Sequence, residues 1–322
     1  MNYLSLSYSI PYFFVSSLIA CILIMNHSAQ PNKYLKKLFW NLLKLPLPAK
    51  WRLTFRFYNY FGRFINWSNP LGFNEKIQYL KLYDRKPEYG ILADKYAVKE
   101  WVAKKIGAEY IVPNYGVWER AEDIDFDLLP QQFVIKCNHD SGSVFVVKDK
   151  SKADLEAIRQ SLKEHLAVNY ANHLEEWVYS QIKPCVLAEK YLEVDDPENG
   201  LIDYKFFCFD GKPAYLYLVK RLGGHDDTYI CFLNTDWTWA PFQRKDYQLY
   251  ENPPKPACLD KMLDIAAELS QGHPFLRVDL YCVKGQIYFS ELTFYPTGGF
   301  ILFENVQMDE MAGAALTLPK RK

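Results

Sequence analysis

The chain has 322 residues, 49% of them hydrophobic, with 38 basic and 38 acidic side chains and hence no formal net charge. That length supports two domains or one large α/β unit, each with a real core, and a neutral chain offers no global field for nucleic acid, which excludes that class of partner. Seven cysteines, at 21, 137, 185, 208, 231, 258 and 282, include no CxxC pair and read as buried reduced thiols of a reducing compartment; the six histidines show no metal-ligand spacing.

Residues 3–25 carry no charge, and Pro11 to Met25 is strongly apolar. Three readings stand for this stretch. It is a short membrane anchor, with Lys33, Lys36 and Lys37 keeping the following domain cytoplasmic; or a mis-assigned start, with translation beginning at Met25; or, last, a signal peptide that lacks its basic n-region. From 33 to 63 the pattern is basic, aromatic and helical with a break at Pro46 and Pro48, suited to a membrane surface or, more commonly, to a helical cap. Asn69-Pro70 marks a turn, and Asn74 is placed to cap a helix through EKIQYLKLYD. A second helix, LADKYAVKEWVAKKIG, is expected to end at Gly107 and lead into a strand within AEYIVPNYGVW. Next, QFVIKCNHDSGSVFVVKDK reads as two strands around Ser141, Gly142 and Ser143, with Lys136 inside the first.

Ser151 and Asp154 form a capping box for a helix expected to run to about Ile182. CVLAEKYLE is a strand leaving for the acidic loop DDPENG, and IDYKFFCFDGKPAYLYLV is a hairpin turning at Asp210-Gly211. Residues 223–256, polar and Pro-rich, read as irregular, and CLDKMLDIAAELSQG is an amphipathic helix ending at Gly272. The last hairpin, FLRVDLYCVKGQIYFSELTFYPTGGF, alternates apolar and polar residues about Lys284-Gly285. Arg277, Asp279 and Tyr281 point one way; on the second run Ile287, Phe289, Glu291 and Thr293 share a face. Charges inside otherwise buried strands are costly unless paired or metal-bound, so the hairpin reads as a site, against the plainer alternative of a solvated face with a structural ion pair. The Tyr-Pro-Thr-Gly-Gly loop beyond it would let backbone approach an anion. A two-residue loop would set Asp279 opposite Ser290 and send Glu291 to the other face. A three-residue loop, Lys284-Gly285-Gln286, pairs Asp279 with Glu291 and Arg277 with Thr293, and is the expectation.

Lys95, Lys136 and Lys205, the loop at 138–143, the Glu-containing strand and the Arg/Asp/Glu hairpin together suit a nucleoside triphosphate with magnesium. Phosphates need several cations, and magnesium takes one or two carboxylates and completes its shell with phosphate oxygens and water. The loop would close over the phosphates with its amides; no GxxxxGK[ST] is present, so this is not a P-loop. The plainer readings are a snorkelling Lys136, a helix-surface Lys95, and His139 as a loop or substrate contact rather than a metal ligand. Asp195-Asp196 reads as a solvated turn rather than a metal-binding DxD.

In order and spacing, NPLGFNEKIQYLKLYDR, LADKYAVKEWVAKKIGAEYIVPNYGVW, FVIKCNHDSGSVFVVKD, DYKFFCFDGKPAYLYL and RVDLYCVKGQIYFSELTFYPTGG resemble the ATP-grasp superfamily, in particular its branch named for the teichuronopeptide biosynthesis protein TupA. The resemblance covers about residues 65–305. It implies an α+β ATP-grasp fold: an apolar tail (1–30), a mostly helical N-terminal region (31–130), a lid of strands plus helix (131–195) and an antiparallel-sheet core with the metal site (196–322). It implies that Lys95 and Lys136 meet the nucleotide phosphates with Ser141, Gly142 and Ser143. Glu189, Lys190 and Leu192 would form the adenine hinge, Glu193 would reach the ribose, and Lys205 would be the core phosphate lysine. Asp279 and Glu291 match the magnesium carboxylates, with Thr293 where the superfamily often has Asn, and Arg277 matches the cation that steadies the phosphoryl group. Asp140, unfavourable beside phosphates, would face away or contact the acceptor. The implied activity is an ATP- and Mg2+-dependent carboxylate–amine ligase, ADP-forming through an acyl-phosphate, in capsule, O-antigen or teichuronic-type polysaccharide biosynthesis. Its partners would be a saccharide carboxylate and an amine acceptor, in the cytoplasm or on the inner face of the membrane. The alternatives are a glycosyltransferase of the same pathway or a non-catalytic assembly component.

Overall fold

The computed structural model describes residues 47–172, 174–194, 200–222 and 225–320; the apolar N-terminal stretch, Lys33, Lys36, Lys37 and the Asp195-Asp196 pair lie outside them. The chain divides into two compact units, Met1–Ile65 and Asn66–Lys322. In the first, helix α1 (Ala49–Phe61) ends on Gly62, whose φ of 66° is the left-handed cap a glycine takes without a Cβ penalty. Among the described residues no helix is long and apolar enough to cross a membrane.

The second unit starts with α2 (Phe73–Tyr83). Asn74 does not cap it. Its side chain is wholly buried and exchanges two hydrogen bonds with the backbone of Ile301 at 2.9 and 2.8 Å. The open helix start is satisfied instead by Asp309, on α7 (Val306–Gly313), which accepts from the Asn74 amide at 2.9 Å. The expected second helix is split into α3 (Tyr89–Ala93) and α4 (Val98–Ile106). Asp94 breaks it by accepting from the amides of Tyr96 and Ala97 at 2.8 and 3.2 Å, a side-chain turn that competes with helix. That break leaves Lys95 on a turn rather than a helix face.

A smaller antiparallel sheet contains β1 (Asn114–Trp118), β2 (Phe133–Cys137), β3 (Phe145–Val147) and β4 (Val186–Lys190) in the order β1-β4-β2-β3. Its first edge strand thus comes from the stretch expected to be mostly helical. One face packs Phe133, Ile135 and Val186 against Leu162 of α5 (Leu155–Leu166). The helix is shorter than expected at both ends. Asp154 is its N-cap, accepting from the Ala157 amide at 3.0 Å, while Ser151 bonds Asp149. Past Leu166 the run Val-Asn-Tyr-Ala-Asn favours turns, and two 3₁₀ turns, Tyr170–Asn172 and Trp177–Gln181, follow.

The larger sheet has β5 (Ile202–Phe209), β6 (Lys212–Arg221), β7 (Thr228–Asn234), β8 (Gln248–Leu249), β9 (Phe275–Val283) and β10 (Gln286–Thr293) in the order β10-β9-β5-β6-β7-β8. The strand β7 lies inside the segment expected to be irregular; its Phe232 is fully buried, and polar flanks had concealed a short buried strand. Helix α6 (Leu259–Ser270) covers one face through Met262, Ala266 and Leu269.

The last hairpin corrects the expected loop. Gln286 pairs with Val283, so the turn is the two residues Lys284-Gly285, at φ 52° and 75° as a type I′ turn requires. Register then shifts between Phe289 and Glu291. Ser290 is an extra residue bulged from β10, and beyond it Glu291 faces Asp279 and Thr293 faces Arg277. The pairing expected from a longer loop is therefore reached by a bulge. The same bulge separates Ile287 and Phe289, buried in the apolar core with Leu280, from the face carrying Glu291 and Thr293.

Candidate active site

The polar face of β9, β10 and β5 assembles a cluster of charged side chains. Asp279 is fully buried. Arg277 grips it as a fork, Nε to Oδ1 and Nη2 to Oδ2, both at 2.7 Å, and Nη2 also donates to Glu291 Oε1 and Thr293 Oγ1 at 2.9 Å. Lys205, the β5 residue in register with Asp279, places Nζ 2.5 Å from Oδ2. Asp203, two residues earlier and therefore on the same face, lies 3.4 Å from Lys205 and 2.7 Å from Arg221 of β6. Burial pushes the Asp279 carboxyl upward, although Arg277 and Lys205 oppose it. Burial also works to raise Glu291, but Lys95, Lys205, Arg277 and Lys136 outweigh it and hold that carboxylate well below its usual range.

A second cluster belongs to the smaller sheet. Glu189 on β4 is held by Lys136 of β2 at 2.6 Å and by Lys99 of α4 at 2.5 Å. Lys99 also donates to Val112 O at 3.0 Å and Asn114 Oδ1 at 2.5 Å, and burial depresses its ammonium despite Glu189. Lys95 joins the clusters: Nζ donates to Asp140 O at 2.6 Å and lies 3.8 Å from Glu291 Oε2. Lys136, Lys205, Arg277, Asp279 and Glu291 are thus brought within one electrostatic neighbourhood, Lys136 acting on Glu291 across it.

The loop at 138–143 presents Ser141 and Gly142 to solvent, Gly142 at φ 103°. Ser143 is buried, and its hydroxyl serves the loop, accepting from the Cys137 amide at 3.0 Å and donating to Asp140 Oδ1 at 2.5 Å. The Asp140 carboxylate turns inward to that hydroxyl and to His165 Nδ1 at 2.5 Å. His139 is buried with neither ring nitrogen hydrogen-bonded, and burial lowers its pKa.

Other expected residues lie outside these two charge clusters. Glu193 pairs at the surface with Lys284 at 2.9 Å, Leu192 packs with Val112 and Val283, and the exposed Lys190 lines an open surface cavity with Tyr115, Gln132 and Lys148. The Tyr-Pro-Thr-Gly-Gly loop is no open anion cradle. Gln78 and Lys81 of α2 donate to Gly298 O at 3.0 and 2.6 Å, and a Cβ on Gly298 would sit 2.4 Å from Leu174 Cδ1. Close packing explains that glycine. Sequence reasoning missed Lys99, Asp203, Arg221 and Glu176. Only Asp203 had a legible signal, its strand alternation with Lys205.

An antiparallel sheet and a larger one, antiparallel except for its parallel β7–β8 edge pair, with lysines and arginine arrayed on buried carboxylates, make up an ATP-grasp fold. Within it, the chain belongs to the TupA-like ATP-grasp family, whose model matches residues 75–317. Solved structures of that fold are similar to it. A D-alanine–D-alanine ligase from Bacillus anthracis complexed with ATP is 19% identical, with 64% of this chain and 54% of that chain covered and a TM-score of 0.34. The corresponding enzyme from Helicobacter pylori is 16% identical over 76% of this chain and 69% of that one, TM-score 0.41. An L-amino acid ligase from Bacillus licheniformis is 11% identical over 70% and 49%, TM-score 0.41. The chain spans about half the length of the Bacillus anthracis ligase, 54%. No curated protein matches the sequence.

Proposed function

We propose that the chain is an ATP-dependent carboxylate–amine ligase that works through an acyl-phosphate and builds amide links into a bacterial surface polysaccharide. The observation that carries this reading is the convergence of Lys95, Lys99, Lys136, Lys205 and Arg277 on Glu189, Asp279 and Glu291. Buried lysines tied to carboxylates can exchange those partners for phosphate oxygens, a charge-assisted bond of similar strength. In this reading Lys95, Lys99 and Lys136 hold the distal phosphates under the amides of Ser141 and Gly142. Lys205 binds from the core sheet. The backbone of Glu189, Lys190 and Leu192 lines the adenine, with Glu193 toward the ribose. The lid comprises residues 131–195 together with β1.

Among the described residues no group of three or more His, Cys, Asp or Glu side chains could hold a metal by itself. Asp279, Glu291 and Thr293 are nonetheless all hard oxygen donors facing one way, which fits magnesium bound through one or two carboxylates with phosphate completing its shell. Bound there, magnesium would neutralise charge on the transferring phosphoryl group. Arg277, already between both carboxylates, is placed to steady the same charge and that of the tetrahedral intermediate. The saccharide assignment rests on the TupA-like branch, and the carboxylate is taken as that of a uronic acid.

The test is product analysis with magnesium, ATP, a panel of uronic acids and a panel of amines. ADP and phosphate should appear only when both acceptors are present; AMP and pyrophosphate would rule the acyl-phosphate route out.

A further inference from the structure

Glu189, Asp203, Asp279 and Glu291 each hold a lysine or arginine at 2.5 to 2.9 Å. Glu176 is different. It is 5% exposed, and among the described residues its carboxylate has no hydrogen bond or ion pair. Lys81, Arg277 and Lys95 act on it electrostatically, yet each directs its donors elsewhere. Lys81 Nζ bonds Leu174 O and Gly298 O at 2.7 and 2.6 Å, Arg277 serves Asp279, Glu291 and Thr293, and Lys95 serves Asp140 O. The position is held firmly. Trp177 Nε1 donates to Tyr295 Oη at 2.8 Å, and the Leu174 side chain lies where a Gly298 Cβ would be, so segment 174–177 is fixed on the loop that leaves β10 just after Thr293. Glu175 adopts φ 59°, a left-handed conformation that costs free energy for a non-glycine residue and persists only where its surroundings enforce it. Tyr170 and Tyr179, ring centroids 5.1 Å apart, stand close enough that the Glu176 charge adds to burial in raising both phenols.

A buried carboxylate without a partner is costly, and a cationic ligand would remove that cost. The rest of the cleft is cationic and suits phosphate and the acyl donor; an ammonium needs an anion not already claimed inside the protein. We propose that Glu176 is the acceptor subsite, binding the ammonium of the amine substrate and taking its proton before attack on the acyl-phosphate. This rests on the ligase reading above. An N–H bond breaks and its proton passes to a Glu176 oxygen. The freed lone pair forms the C–N bond, the C–O bond to phosphate breaks, and phosphate leaves with that electron pair and takes the second amine proton. Burial, opposed by Lys81, Arg277 and Lys95, raises Glu176 to about 7, in the range where a carboxylate can accept and return a proton.

The experiment compares two kinds of nucleophile with the full chain, magnesium, ATP, and D-glucuronate or D-galacturonate. Hydroxylamine is largely uncharged at neutral pH and traps an acyl-phosphate as hydroxamate without a base; ethanolamine and other simple primary amines arrive as ammonium ions. Glu176→Gln is expected to leave hydroxamate formation little changed and to lower amide formation roughly a hundredfold. Glu176→Asp, which keeps the charge, should recover part of it. Equal loss with both nucleophiles in a variant whose MgATP thermal shift matches wild type would overturn the proposal, as would amide formation unaffected by the substitution. Hydroxamate from the wild type with no amide from any amine would sink the subsite while sparing the acyl-phosphate. No hydroxamate from the wild type would instead sink the ligase reading itself. Should Glu176→Gln fail to fold, Glu176→Asp must still show the amide-selective loss.

Discussion

A carboxyl held protonated by burial leaves a thermodynamic trace that needs no substrate. Glu176 is raised to about 7 in the folded protein, whereas an unfolded chain restores it to about 4.3. Below about pH 4.3 both states carry the proton and Glu176 makes no pH-dependent contribution. Between there and about pH 7 the unfolded state has lost the proton and the native state keeps it, so unfolding stability declines as pH rises. Above about 7 the contribution has been lost in full. At 1.36 kcal/mol per unit the difference is on the order of 4 kcal/mol, roughly 8 to 16 °C in Tm for a unit of this size. Glu176→Gln removes the titration while keeping the shape. The difference in Tm between variant and wild type, measured from pH 4 to 8 in constant ionic strength without ligand, should therefore move in favour of the variant as pH rises and then level off. A difference that stays constant across that range would mean that Glu176 is paired in the folded protein, and the argument for a vacant anion would fail.

Arg277→Ala leaves Asp279 facing Glu291 with a single fork's worth of donors gone; breaking such a buried network costs about 3 to 5 kcal/mol. Thermal melts should show the loss, with Arg277→Lys recovering only part because one ammonium cannot reproduce the bidentate geometry, and a drop under about 2 °C would make the network dispensable. Lys136→Ala and Lys205→Ala should each weaken MgATP binding by about tenfold or more, the loss of one charge-assisted bond of 1.5 to 3 kcal/mol, read by calorimetry; full affinity in both would make these lysines purely structural.

How much was legible depended on the range of the physics involved. Alternation is local, so the β9 and β10 hairpin, the Asp210-Gly211 turn and the common facing of Arg277 with Asp279 could be read from neighbouring residues. The TupA-like ATP-grasp family was legible too, because its motifs are short runs whose order survives. The bulge at Ser290 was not. A bulge requires no particular side chain there, and counting residues through a regular strand led to a longer loop. Helix ends misled wherever a side chain found a distant partner: Asn74 turned to Ile301 and left Asp309 to meet the helix start. Charge was the least legible quantity of all. Lys99, Glu176 and Arg221 look like ordinary surface residues in a neutral chain; only the packing of α4 and of the Trp177 turn buries Lys99 and Glu176, and only the pairing of β6 sets the exposed Arg221 on the buried Asp203. Desolvation and Coulomb energies depend on distance in space and on the exclusion of water. Local patterning therefore settled which strands carry the charged residues, while the tertiary fold alone decided which of the described carboxylates are paired and that Glu176 is not.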